Sequence, residues 1–306
     1  MNKVYQMNEN YFSEINSHEK AYILGFIYAD GNIINNLEKT KYCLRIAQKG
    51  ERKDVLEKIV KALNSNIPIK EYVPNVFSIT LYSKQITNDL TKLGAIPNKS
   101  LVLQFPTEDI VPKKYMSSFI LGCFDGDGCV WNGKRKKMWV KNDKKPGTMR
   151  ERIVHNVKFT YTGNVDFVNS LQDYLVELGI VNKKTKLNFS KAKCTNNSTC
   201  DRVCTMEYSG RVQMKRLYEY MYSNSPIWSE EKRLKFEKIF CASEEKSSED
   251  TSLIAEKPEM VISSEAFNIK ERSSTIPEMG VESSDSKCEA PNEKDEGEDI
   301  VSSTIK

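Results

Sequence analysis

The sequence predicts an α+β protein made of two pseudo-symmetric helix-and-strand units and closed by an acidic tail. Three observations predict it. Two segments, AYILGFIYADG at 21–31 and SFILGCFDGDG at 118–128, end in the same way. Each opens a similar succession of strand and helix patterns, and residues 241–306 have a composition unsuited to a packed core.

Both segments carry Ile-Leu-Gly, three further residues, a small residue, then Asp-Gly. Counting back from Asp30, small residues stand at Ala29, Gly25 and Ala21; counting back from Asp127, at Gly126, Gly122 and Ser118. Positions four apart share a helix face, so each segment presents a stripe without bulk. Two such stripes allow helix backbones to approach unusually closely. Ile23, Leu24, Phe26 and Ile27 in one segment, and Phe119, Ile120, Leu121 and Phe124 in the other, are then free to enter flanking cores. Glycine after each Asp suits the exit from a helix. Helices packed side by side and parallel would bring Asp30 and Asp127 out together. A single segment of this kind reads as an ordinary core helix; two in matched registry do not.

After the first segment, Ile33 and Ile34 mark a strand, YCLRIAQK (42–49) alternates as a partner strand, and ERKDVLEKIVKAL has helical spacing. VFSITLYS reads as a strand and KQITNDLTKLG as a helix closed by Gly94. After the second, VHNVKFTYTG, VDFVNSLQDYLVELG, VCTMEYSG and RVQMKRLYEYMY repeat the order strand, helix, strand, helix. An enlarged hairpin region, with nine basic residues against Asp143 and Glu151 in 134–152, sets the second copy apart.

Of 46 basic and 42 acidic side chains, 7 and 17 fall in residues 241–306, leaving 39 and 25 in residues 1–240. The formal +4 therefore conceals +14 against −10. A surface so basic points to a polyanion. No apolar run of about eighteen residues exists and the start lacks a signal-peptide core, so a soluble intracellular protein with no membrane partner is expected. The cysteines have no framework spacing and read as reduced thiols; Cys194, Cys200 and Cys204 do not form the paired knuckles of a zinc site. His18 and His155 stand far apart, which disfavours histidine-based metal or triad chemistry.

Asp30 and Asp127 offer two carboxylates, and the unpaired carbonyls at the helix ends, Ala29 and Gly126 among them, favour a cation there. Arg45 on the YCLRIAQK strand is expected to point away from the core. Lys134, Arg135, Lys136, Lys137, Lys141, Lys158, Lys184 and Lys186 extend the basic surface, with Trp131 and Trp139 interleaved.

The paired segments resemble the motifs of single-chain LAGLIDADG homing endonucleases, over residues 15 to about 240. Tyr28 replaces the first Asp of that name and Gly126 its Ala; neither is the terminal acidic position. The resemblance implies two αββαββα units, 1–109 and 110–241, forming a DNA-binding saddle, with 242–306 a disordered tail. It implies a monomeric, metal-dependent endonuclease cutting both strands of a long asymmetric DNA site. Asp30 and Asp127 would lie beneath the scissile phosphates with Mg2+, Mn2+ substituting and Ca2+ supporting binding without cutting. The same resemblance nominates Gln48 and Arg52 near the reactive water, Lys99 in IPNKS and Lys232 in SEEKR; Arg45, Arg52 and the basic residues from Lys134 to Lys186 named above would contact the DNA. It implies a bacterial cytoplasm or nucleoid, or an organelle matrix. An RNA maturase serving an intron, and a DNA-binding regulator without cutting, remain open on the same scaffold.

Overall fold

The first copied segment forms helix α1 (His18–Asp30), capped by the Ser17 hydroxyl, which accepts from the Lys20 amide. The computed structural model describes residues 5–36, 41–140, 149–189 and 202–251. Strands β1 (Gly31–Asn36) and β2 (Lys41–Lys49) follow, then α2 (Lys53–Ala62), β3 (Lys70–Val73), β4 (Val76–Leu81) and α3 (Lys84–Lys92). Gly94 closes α3 at φ +88°, the left-handed conformation that suits a helix exit.

The second copy runs α4 (Met116–Asp127), β5 (Gly128–Val140), β6 (Met149–Asn164), α5 (Val165–Glu177), β7 (Asn188–Phe189), β8 (Val203–Ser209) and α6 (Arg211–Tyr222). A further helix, α7 (Glu230–Thr251), extends ten residues beyond the boundary expected at 241. The unit holding both copies runs from Met1 to Ala255. Residues 252–306, and with them most of the expected disordered tail, lie outside the described residues.

Two antiparallel four-stranded sheets are described, in the orders β1-β2-β4-β3 and β5-β6-β8-β7. The duplication extends to the register. Gly31 faces Ile46, which faces Ile79; Gly128 faces Tyr161, which faces Met206. The α+β class and the repeated αββαββα order expected from sequence are therefore both present. The enlarged hairpin is the long β5–β6 pair, thirteen and sixteen residues.

One continuous apolar core serves both copies, and α1 and α4 run through it almost wholly buried. This explains their all-round apolar character: a helix with neighbours on every side has no wet face to mark with polar residues. Along the sheets alternation is preserved. Leu44, Ile46, Phe159 and Tyr161 face the helices, while Arg45 and Thr162 face outward. No described helix is long and apolar enough to cross a membrane.

Candidate active site

The small-residue stripes meet as their spacing predicts. A Cβ built on Gly25 would stand 2.0 Å from the Phe119 carbonyl oxygen, and one on Gly122 would stand 2.0 Å from that of Tyr22. One on Gly126 would stand 2.2 Å from the Ala29 Cβ and 3.2 Å from Asp30 Oδ2. Contacts advance along both helices in the same sense, with His18 Nδ1 2.8 Å from Ser118 Oγ at the entry end. The helices are thus parallel, and Asp30 and Asp127 leave them at the same end.

Gln48 on β2 is buried and donates its amide to Asp30 Oδ2 at 2.5 Å. The register places Gly163 in the corresponding position of the second copy, two residues beyond Tyr161 as Gln48 is two beyond Ile46. Asp127 therefore lacks the side chain that orients Asp30. A cleft of about 210 Å3 occupies that side, lined among others by Tyr28, Lys99, Asp127, Thr162, Gly163 and Asn164.

Asp127 is exposed as a residue, while protein atoms crowd its carboxyl. Desolvation there, and then the Asp30 charge, push it up to about 6; Lys99, Lys232 and Arg52 pull the other way. Two carboxylates held in mutual repulsion among oxygen donors fit a hard divalent cation, which would relieve the repulsion. Among the described residues no cluster of three or more His, Cys, Asp or Glu side chains surrounds them, so the carboxylates and backbone oxygens make up the candidate donor set.

A lysine serves each helix end. Lys99, following Asn98 in a left-handed conformation, donates from Nζ to the Ala29 carbonyl at 3.3 Å and the Gly31 carbonyl at 2.5 Å. Burial lowers its pKa, offset by Asp127 and then Asp30. Lys232, in the first turn of α7, is buried and reaches the carbonyls of Phe124 and Asp125 at 2.7 Å each and Gly126 at 3.3 Å. Burial draws its pKa down to about 8, opposed first by Asp125. The carbonyls of Ala29 and Gly126, nominated as cation donors, already accept from these lysines, so any cation there would share them.

Arg52 lies at this centre rather than on the outer sheet face. Its Nη1 donates to the Asp125 carbonyl at 3.1 Å, and Nε stands 4.0 Å from Glu231. Of the other basic residues, Arg45 is exposed with its guanidinium over the Tyr72 ring, 5.5 Å from the centroid. Lys134 and Lys186 are exposed. Lys136 pairs with Glu151 at 2.8 Å, and Lys158, facing Trp131 across the strands, pairs with Glu207 at 2.6 Å. Lys184 is tied to Asp173 on α5. Lys141, Cys194, Cys200 and the side chains of Arg135, Lys137, Trp139 and His155 lie outside the described residues.

No family model and no curated protein matches the sequence. Solved structures do match, over most of the chain. LAGLIDADG endonucleases are among them. I-AabMI bound to uncleaved DNA is 13% identical at a TM-score of 0.48, covering 74% of this chain and 91% of that one. I-SmaMI bound to cleaved DNA is 14% identical at 0.48, covering 76% and 93%. I-LtrWI bound to target DNA is 14% identical at 0.45, covering 81% and 96%. Similarity of that size transfers no residue roles, and those follow from the contacts at the base of α1 and α4.

One residue of this centre escaped the sequence reading. Asp125 is fully buried, accepting from the Tyr22 hydroxyl and the Ser229 amide, each at 2.7 Å from Oδ2. Burial pushes it up to about 7, against the pull of Lys232, Tyr22 and Ser229. The available signal was an acidic residue inside an otherwise apolar helix.

Proposed function

We propose that the chain is a metal-dependent DNA endonuclease of the LAGLIDADG kind, acting as a monomer on both strands of a long asymmetric site. The observation that carries this reading is the delivery of Asp30 and Asp127 to one end of two parallel helices, each end braced by a lysine, Lys99 half-buried and Lys232 buried. Phosphodiester hydrolysis needs an activated water and neutralisation of charge on the attacked phosphate, which a bound divalent cation supplies. Mg2+ is the proposed ion, with Mn2+ able to replace it and Ca2+ supporting binding alone.

The chain's own residues have distinct tasks in this reading. Asp30 and Asp127 hold the cation, and Gln48 fixes the Asp30 carboxylate. Lys99 and Lys232 keep positive charge beside the attacked phosphates while bracing the carbonyls from which the two Asp side chains extend. The outward sheet faces, carrying Arg45 and Tyr72 on one side and Trp131 and Lys158 on the other, form the DNA surface. Their chemical difference suits an asymmetric duplex. A helix-packing role alone leaves unexplained why two acidic residues converge where their charges repel. That convergence favours cutting over a regulator that only binds, because carboxylates facing phosphate and put to no use would weaken association.

The test is cleavage of a random duplex library with Mg2+, and with EDTA as control. Asp30→Asn and Asp127→Asn are each expected to abolish double-strand cutting while DNA binding in Ca2+ persists. Unchanged cutting by both variants sinks the reading. Intron RNA bound in preference to every duplex, with no cutting, would favour the maturase instead.

A further inference from the structure

Two residues before its terminal Asp, each motif helix sends a side chain to the segment that bears the lysine. In α1 this residue is Tyr28, whose hydroxyl donates to the Leu93 carbonyl in the turn leading to Lys99. In α4 it is Asp125, whose Oδ2 accepts from the Ser229 amide immediately before α7, three residues ahead of Lys232. The chemistry differs because the targets differ. The turn after α3 presents a carbonyl and so takes a donor; the start of α7 presents an amide and so takes an acceptor.

Helix packing does not account for a carboxylate at this place. Tyr28 shows that a neutral side chain fits the equivalent position. A fully buried carboxylate is costly unless compensated, and Asp125 Oδ1 has no hydrogen-bond partner among the described residues. What Asp125 does supply is position. Lys58 holds the Trp228 carbonyl from the first copy at 2.8 Å, and Asp125 holds the next amide from beneath, so the start of α7 is gripped on two sides. Lys232 projects from that turn onto the end of α4.

We propose that Asp125 is a positioning residue of the second half-site, holding the start of α7 so that Lys232 reaches the carbonyls beside Asp127. Tyr28 is its counterpart for Lys99. The functional consequence rests on the nuclease reading above; the geometric one does not.

Asp125→Asn keeps an oxygen able to accept both bonds, whereas Asp125→Ala removes it. In single-turnover cleavage of a duplex recovered from the random library, Asp125→Ala is expected to slow cutting about tenfold, with affinity in Ca2+ unchanged. Asp125→Asn should restore the rate to within about threefold of wild type, and in a Lys232→Ala background Asp125→Ala should add less than about threefold. A full tenfold loss in that background overturns the proposal, because Asp125 would then act independently of Lys232.

A second measurement needs no cleavage. Acetylation by an amine-reactive ester, read by mass spectrometry on the folded full chain, should be slow at Lys232 in wild type and Asp125→Asn. It should be several-fold faster in Asp125→Ala, with exposed Lys183 as internal reference. Tyr28→Phe removes one hydroxyl and applies the same test to Lys99, which covers the case in which Asp125→Ala does not fold. Unchanged protection of Lys232 in folded Asp125→Ala, or of Lys99 in Tyr28→Phe, overturns the strut. Failure of Asp30→Asn and Asp127→Asn to affect cutting would instead remove the nuclease reading and leave the labelling result standing.

Discussion

Asp125 and Asp127 share the last turn of α4, and the protonated form of each is favoured by the fold, near pH 7 and pH 6 respectively. Unfolded, both release their protons near the ordinary aspartate value of about 3.9. Between that value and about 7 the folded chain holds more protons, so their contribution to stability declines as pH rises. Lys232, drawn down to about 8, contributes in the opposite direction from about pH 7 upward and so touches only the upper edge of this window. In EDTA, the denaturant midpoint is expected to decline between pH 4.5 and 7.5, and Asp127→Asn should flatten that decline. An equally steep decline in the variant would show that the fold does not raise the Asp127 carboxyl. Adding Mg2+ at pH 7.5 should raise the melting temperature of wild type more than that of Asp127→Asn, since a ligand of the native state stabilises by mass action.

At the scale of elements, the parallel approach of α1 and α4 governs the rest. Gly25 and Gly122 each face backbone atoms, which cannot swing aside as a flexible side chain would. Gly122→Ala is therefore expected to lower stability by about 2–3 kcal/mol, measured by chemical denaturation, despite alanine's better helix propensity. A loss near zero would mean that the helices part without cost. The sheets deliver unequal support to the two carboxylates: Gln48 fixes Asp30, while Gly163 leaves the Asp127 side open. Gln48→Ala is expected to slow cleavage roughly 10–100-fold, as loss of an orienting partner does at metal centres. On a duplex labelled separately in each strand, the effect should be unequal between strands.

For the whole molecule, the separation of +14 in residues 1–240 from −10 in residues 241–306 sets the long-range electrostatics. Removing residues 252–306 takes away mostly negative charge and is expected to strengthen binding to nonspecific duplex at low salt, with a steeper salt dependence. The melting temperature should change little. Equal affinities with and without this segment would mean that it does not act on the basic surface.

Residue spacing alone was enough to place the two motif helices, their small-residue seam, the repeated element order and the terminal pair Asp30 and Asp127. Each of these follows from local periodicity or from repetition, which a linear chain displays directly. The tertiary structure decided what depends on residues meeting across long separations. It turned Arg52 toward the end of α4, tied Lys184 to α5, and opposed Gln48 with a glycine. It also buried Asp125 between Tyr22 and Ser229, more than one hundred positions away in each direction. An acid on an apolar helix carries no mark of the partners that compensate it, because their distance along the chain is unrelated to their distance in space.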